Sequence, residues 1–110
     1  EIERCVKAGA RGIGELHPSS QQIDLATDEA LGPMMALSIE RALPVLVHGS
    51  EAVGHAYAGK GTTTPDQLLA FSQRFPDATC VFAHWGGGLP FYSLMQQRNG
   101  IVNPLRSLLM

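Results

Sequence analysis

The chain has 110 residues, a net charge of -2, 45% hydrophobic and 16% charged residues, enough for one small soluble domain. No basic tract is present, which argues against nucleic acid or an anionic membrane as partner. No apolar run approaches the ~20 residues of a membrane span, and no signal peptide is visible. Cys5 and Cys80 stand far apart inside apolar patterns. They read as small buried hydrophobes in a reducing, cytoplasmic compartment rather than as a disulfide framework.

In chain order, residues 1–8 read as the end of a helix, with Ile2, Cys5 and Val6 on one face and Gly9 at the C′ position. The opening in mid-helix pattern, on Glu1, predicts an incomplete slice of a larger protein. Residues 11–17 (RGIGELH) read as a strand, with Ile13, Glu15 and His17 on one side and Gly14 and Leu16 on the other. Pro18 and the polar run Ser19–Gln22 end it. A helix is expected from Gly32-Pro33 to about Ala42, then a strand at 44–48 (PVLVH) and a long loop at 49–63. Thr64-Pro65-Asp66-Gln67 supplies an N-cap, Pro at the first helical position and a capping-box Gln, so a helix is expected to about Phe75. A third strand covers 79–84 (TCVFAH), and Gly86–Gly88 lead into a short helix near 90–97. The last residues, 96–110, form a divergent tail with turn signals at Asn99-Gly100 and Asn103-Pro104, set apart from a segment at 1–95.

Strands alternating with helices predict an α/β fold with a parallel sheet. Chemically capable residues close each expected strand: Glu15 and His17 the first, His48 the second, His84 the third. The steps from Glu15 to His48 and from His48 to His84 are 33 and 36 positions. A (β/α)8 barrel of ~250 residues allots ~31 to each unit and gathers catalytic residues at the strand ends. Alternation puts His48 with Leu46, and His84 with Phe82 and Cys80. If those faces point into a barrel, Val45, Val47, Val81 and Ala83 face the outer helices. Imidazoles from neighbouring strand ends suit zinc. A lone His at a strand end is more often structural, but several at barrel spacing favour a site. His17 either joins it or packs before Pro18.

The segments GIGELHP (12–18), LPVLVHGSE (43–51), GHAYAGKGTTTP (54–65) and FPDATCVFAHWGGGLPFY (75–92) together resemble the amidohydrolase-related barrel proteins of the second amidohydrolase type. The resemblance covers about residues 1–95 and implies a partial (β/α)8 TIM barrel, strands four to six with their helices. It implies metal-dependent hydrolysis of an amide, ester or lactone bond in a small molecule, or non-oxidative decarboxylation, with a divalent metal, zinc, as cofactor. His48 would be the metal ligand ending the fifth strand. His84, ending the sixth, would be a second ligand or an acid/base. Glu15, by position, would be an acidic ligand ending the fourth. The family's His-x-His pair on the first strand and its aspartate on the eighth fall outside such a slice, so the chain alone is expected to be inactive.

Further residues carry two readings each. His55 and Lys60, on the 49–63 loop, are contacts for an anionic substrate group or part of a solvated lid. Trp85 stacks on substrate or packs under the loop. Residues 54–60 (GHAYAGK) nearly spell a P-loop, but Gly61 stands where Ser or Thr should hold Mg²⁺, which leaves a nucleotide-binding protein as a distant rival. A non-catalytic fragment or interaction module is the other, since a three-stranded parallel sheet has open edges that invite homo-oligomers.

Overall fold

A computed structural model of the chain describes residues 1–50 and 55–89. The expected helix near 90–97 and the 96–110 tail lie outside the described residues, as do positions 51–54 of the long loop. The elements are α1 (Ile2–Lys7), β1 (Ile13–Leu16), α2 (Pro18–Gln21), α3 (Leu31–Glu40), β2 (Val45–Val47), α4 (Pro65–Arg74) and β3 (Cys80–Phe82).

Local chemistry accounts for most boundaries. After α1, Gly9 takes φ 103°. Its N–H bonds Val6 O at 2.9 Å, and the Ala10 N–H bonds Cys5 O at 2.9 Å. Both bonds satisfy carbonyls that the helix end would otherwise orphan. At α4 the Thr64 side chain accepts from the Gln67 N–H while Gln67 accepts from the Thr64 N–H, a complete capping box. Such a cap contributes about 1 kcal/mol. The polar run after β1 was expected only to end the strand. Instead it forms α2, one turn whose N-cap is His17: the ring accepts from the Ser20 N–H, and Pro18 begins the turn.

The three strands form one parallel sheet in the order β1-β2-β3. Val45 and Val47 are fully buried, and against them pack Leu31 and Met35 of α3 and Leu68 and Phe71 of α4 in a single cluster. Each such side chain, fully buried, contributes ~1.5–3 kcal/mol. Both long helices therefore cover the same face of the sheet. Leu46 and Val81 lie on the opposite face, where Val81 is 47% exposed and a groove of about 360 Å³ is lined by Gly12, Ile13, Gly14, Pro44, Leu46 and Val81. Sequential strand order with helices on one side differs from a doubly wound sheet, which carries helices on both faces.

Two expected facings are corrected. Cys80 and Phe82 were assigned to the face opposite the helices, but they pair with Val45 and Val47 and pack against the helix-side core. Val81, not Cys80 or Phe82, shares the open face with Leu46. In β1, Ile13 was expected opposite Leu16. The pairing with β2 shifts between Ile13 and Leu16, and both residues join the same core. At the shift, a Cβ on Gly14 would lie 2.8 Å from Leu46 Cβ and from Leu46 O, so only glycine permits the close approach. Among the described residues no helix is long and apolar enough to cross a membrane.

Candidate metal centre

The strand ends bring Glu15, His48 and His84 together. His48 follows β2 directly and is buried, 6% exposed. Its Nδ1 lies 2.9 Å from Glu15 Oε1 and 3.2 Å from His84 Nε2. His84 Nε2 is 4.0 Å from the same Glu15 oxygen. The Glu15 and His84 side chains are 40% and 46% exposed, so the group has a buried floor and an open side.

His84 arrives by an unexpected route. Strand alternation through Phe82 would turn it toward the helices. The chain instead leaves the extended conformation, and His84, Trp85, Gly86, Gly87 and Gly88 all take φ between 56° and 73°. This left-handed turn swings the imidazole back to His48. For His84 and Trp85 it costs roughly 1–2 kcal/mol each, a cost the three glycines escape. The glycines also let the turn press on the segment after β2: a Cβ on Gly87 would fall 3.0 Å from Ser50 O.

On its other side, His48 Nε2 lies 2.9 Å from the Lys60 carbonyl oxygen. A carbonyl only accepts, so Nε2 carries the hydrogen and donates it. The Ser50 hydroxyl donates to that same oxygen at 2.6 Å and accepts from the Thr63 N–H at 3.2 Å. Nδ1 is thereby turned toward a carboxylate oxygen and a second imidazole nitrogen. Three ligand-type atoms converge, an arrangement able to hold a cation at its centre. The separations of 2.9, 3.2 and 4.0 Å bracket the ~3.3 Å edge of a tetrahedral zinc site with ligand bonds of ~2.0–2.1 Å. Two imidazoles and one carboxylate are also a known catalytic zinc set with one position left open. These residues fit a divalent ion.

His17 stacks on His48, ring centroids 4.1 Å apart and planes 18° from parallel. Both of its ring nitrogens are engaged with backbone. Three further candidates stand elsewhere. His55 is exposed and its ring sits 5.8 Å from that of Tyr57. Lys60 Nζ donates to His55 O at 3.1 Å, so Lys60 reaches the centre through its carbonyl and not its ammonium. Trp85 is 85% exposed rather than packed under the loop. A P-loop would turn N–H groups toward a phosphate, whereas here the carbonyls of Gly59 and Lys60 face the histidines.

Residue-type reasoning passed over Ser50 and the two carbonyls. Only the spacing of Ser50, two residues after His48, hinted at its role. Cys5 and Cys80 are free thiols, and burial pushes the Cys80 thiol up, so it is a reluctant thiolate. A cavity of about 550 Å³ between the 22–26 turn and the start of α4 contains none of the three donors. The donor group therefore sits at an open strand-end surface and not in that cavity.

A carboxylate and two imidazoles, able to hold a metal ion, meet at the carboxyl ends of adjacent parallel strands of an α/β protein. The amidohydrolase family model matches residues 1–98, and the chain belongs to that family. No curated protein and no solved structure matches it.

Proposed function

We propose that this chain supplies part of the active site of a metal-dependent hydrolase acting on an amide, ester or lactone bond of a small molecule. The observation that carries this is the convergence of His48 Nδ1, Glu15 Oε1 and His84 Nε2 while Lys60 O occupies His48 Nε2. His48 would hold the ion from the buried floor and Glu15 from the more exposed rim. His84 completes the donor set on the open side, or stands beside it as the proton carrier. A divalent ion held there, zinc by its donor set, would supply Lewis acidity toward a carbonyl and lower the pKa of water. His84 Nε2 as proton carrier takes the proton of the attacking water as the new C–O bond forms. It returns that proton to the leaving nitrogen or oxygen as the old bond breaks. Decarboxylation is a variant on the same residues: a C–C bond breaks, carbon dioxide leaves, and His84 delivers a proton to the carbon. Trp85, next to His84, and His55 and Lys60, on the loop that holds His48, are the substrate contacts in this reading.

The three strands are read as strands four to six of a (β/α)8 barrel, with the Leu46 and Val81 face as its interior. Consecutive strand order and helices on one face support this. A barrel takes eight strands and the described residues supply three; in this reading the three donors suffice to hold the ion, and the other strands would complete the substrate pocket. Metal content tests the reading. After loading and gel filtration, the chain is expected to retain about one divalent ion, measured by plasma mass spectrometry. A chain that retains none contradicts it.

A further inference from the structure

His17 commits both ring nitrogens to backbone partners, and it meets the donor group only by stacking on His48. Its Nδ1 accepts from the Ser20 N–H at 3.3 Å, so its hydrogen sits on Nε2, which donates to Gly59 O at 2.8 Å. The next carbonyl along the chain, Lys60 O, takes the hydrogen of His48 Nε2. Two stacked rings thus bond two consecutive carbonyls.

The segment that offers those carbonyls is held from the His17 side. The Thr62 N–H donates to Ser19 Oγ at 2.8 Å, and the Ser19 and Thr62 hydroxyls lie 3.2 Å apart. Gly59 and Gly61 take φ 80° and 75°, a region that L side chains resist. A Cβ on Gly61 would stand 2.9 Å from His17 Cε1 and 3.0 Å from both Ser19 Oγ and Ser50 Oγ. The end of β1 therefore grips the loop that follows β2, and that loop grips His48.

We infer that His17 is a positioning residue: with Gly59, Lys60 and Gly61 it fixes the ring of His48 with its hydrogen on Nε2, so that Nδ1 is presented to the ion. The inference rests on the metal-site reading above, but its first consequence is visible without metal. A ligand histidine tied through its second nitrogen to a carbonyl is oriented by that bond. Here that carbonyl is Lys60 O, and His17 acts one residue earlier, holding the preceding carbonyl, Gly59 O, in place. Neither nitrogen of His17 is left for a substrate, which separates this role from direct binding.

Two variants of the chain test it. His17→Phe keeps a ring over His48 and loses both hydrogen bonds. His17→Gln loses the ring and offers an amide N–H toward Gly59 O. Two readings are taken on each: the protected Nε2–H proton of His48 by NMR in the metal-free protein, and zinc affinity by competition with a chromophoric chelator. In His17→Phe the His48 signal is expected to broaden or vanish and zinc to bind roughly 10–100-fold more weakly. His17→Gln is expected to recover part of both. An unchanged His48 signal and unchanged affinity in both variants would overturn the inference. A wild-type chain that binds no zinc, but whose His48 signal is still lost in His17→Phe, overturns the metal reading and leaves the positioning role standing.

Discussion

Replacing His48 with alanine is expected to abolish divalent-ion binding, a loss on the order of 100-fold in affinity or more, while the fold survives. The first half follows from geometry. His48 Nδ1 is the point nearest both other donors, 2.9 Å from Glu15 and 3.2 Å from His84, and those two are 4.0 Å apart. Removing it leaves a pair of half-exposed side chains with no third partner. Disturbing only the groups around a ligand typically costs 10–100-fold, so losing the ligand should reach or exceed that range. The second half follows from what remains. Lys60 O keeps the Ser50 hydroxyl at 2.6 Å, so no buried carbonyl is orphaned. Glu15, 40% exposed, stays hydrated. Metal content and far-UV circular dichroism of His48→Ala beside the wild type check both halves. Equal metal in the two proteins would rule out His48 as a ligand.

Gly49→Ala is expected to damage stability and site together. A Cβ on Gly49 would lie 2.5 Å from Gly87 N, 2.9 Å from Gly87 Cα and 3.1 Å from Ala83 O. All three atoms are backbone, so no side chain can rotate away. Either β2 shifts, or the left-handed turn that follows β3 moves off. That turn carries His84, and its contact with His48 is 3.2 Å. Overpacking of this kind costs roughly 1–3 kcal/mol. Urea unfolding should show that loss, and zinc affinity should fall with it because His84 is displaced. A variant with wild-type midpoint and wild-type affinity would mean that the tight apposition of Gly49 and Gly87 is not maintained in solution.

Local signals in the sequence were reliable where one residue type suffices. Thr64, Pro65 and Gln67 announce the start of α4, because a cap is made by neighbours in the chain. The apolar runs ending in His48 and His84 announce β2 and β3, although Val81 of β3 is 47% exposed. The meeting of Glu15, His48 and His84 was legible from their common position at strand ends, but the path of His84 was not. Alternation holds only while the backbone stays extended, and at His84 it does not. For the same reason Ile13 and Leu16 fall on one face: the register shift between them breaks the two-residue period. The Gly59 and Lys60 carbonyls could not be read at all. Every residue carries a carbonyl, and only the folded loop decides which one meets an imidazole. His17 as N-cap of α2 was hidden likewise, since it depends on how the ring is turned.

The central claim is that Glu15, His48 and His84 form one ion-binding set. Zinc K-edge X-ray absorption on the loaded protein tests it most directly. The expected first shell contains nitrogen and oxygen at ~2.0–2.1 Å with the outer scattering of imidazole, and that scattering should diminish in His84→Ala. A shell with sulfur at ~2.3 Å, drawn from Cys5 or Cys80, or one of oxygen alone, would contradict it.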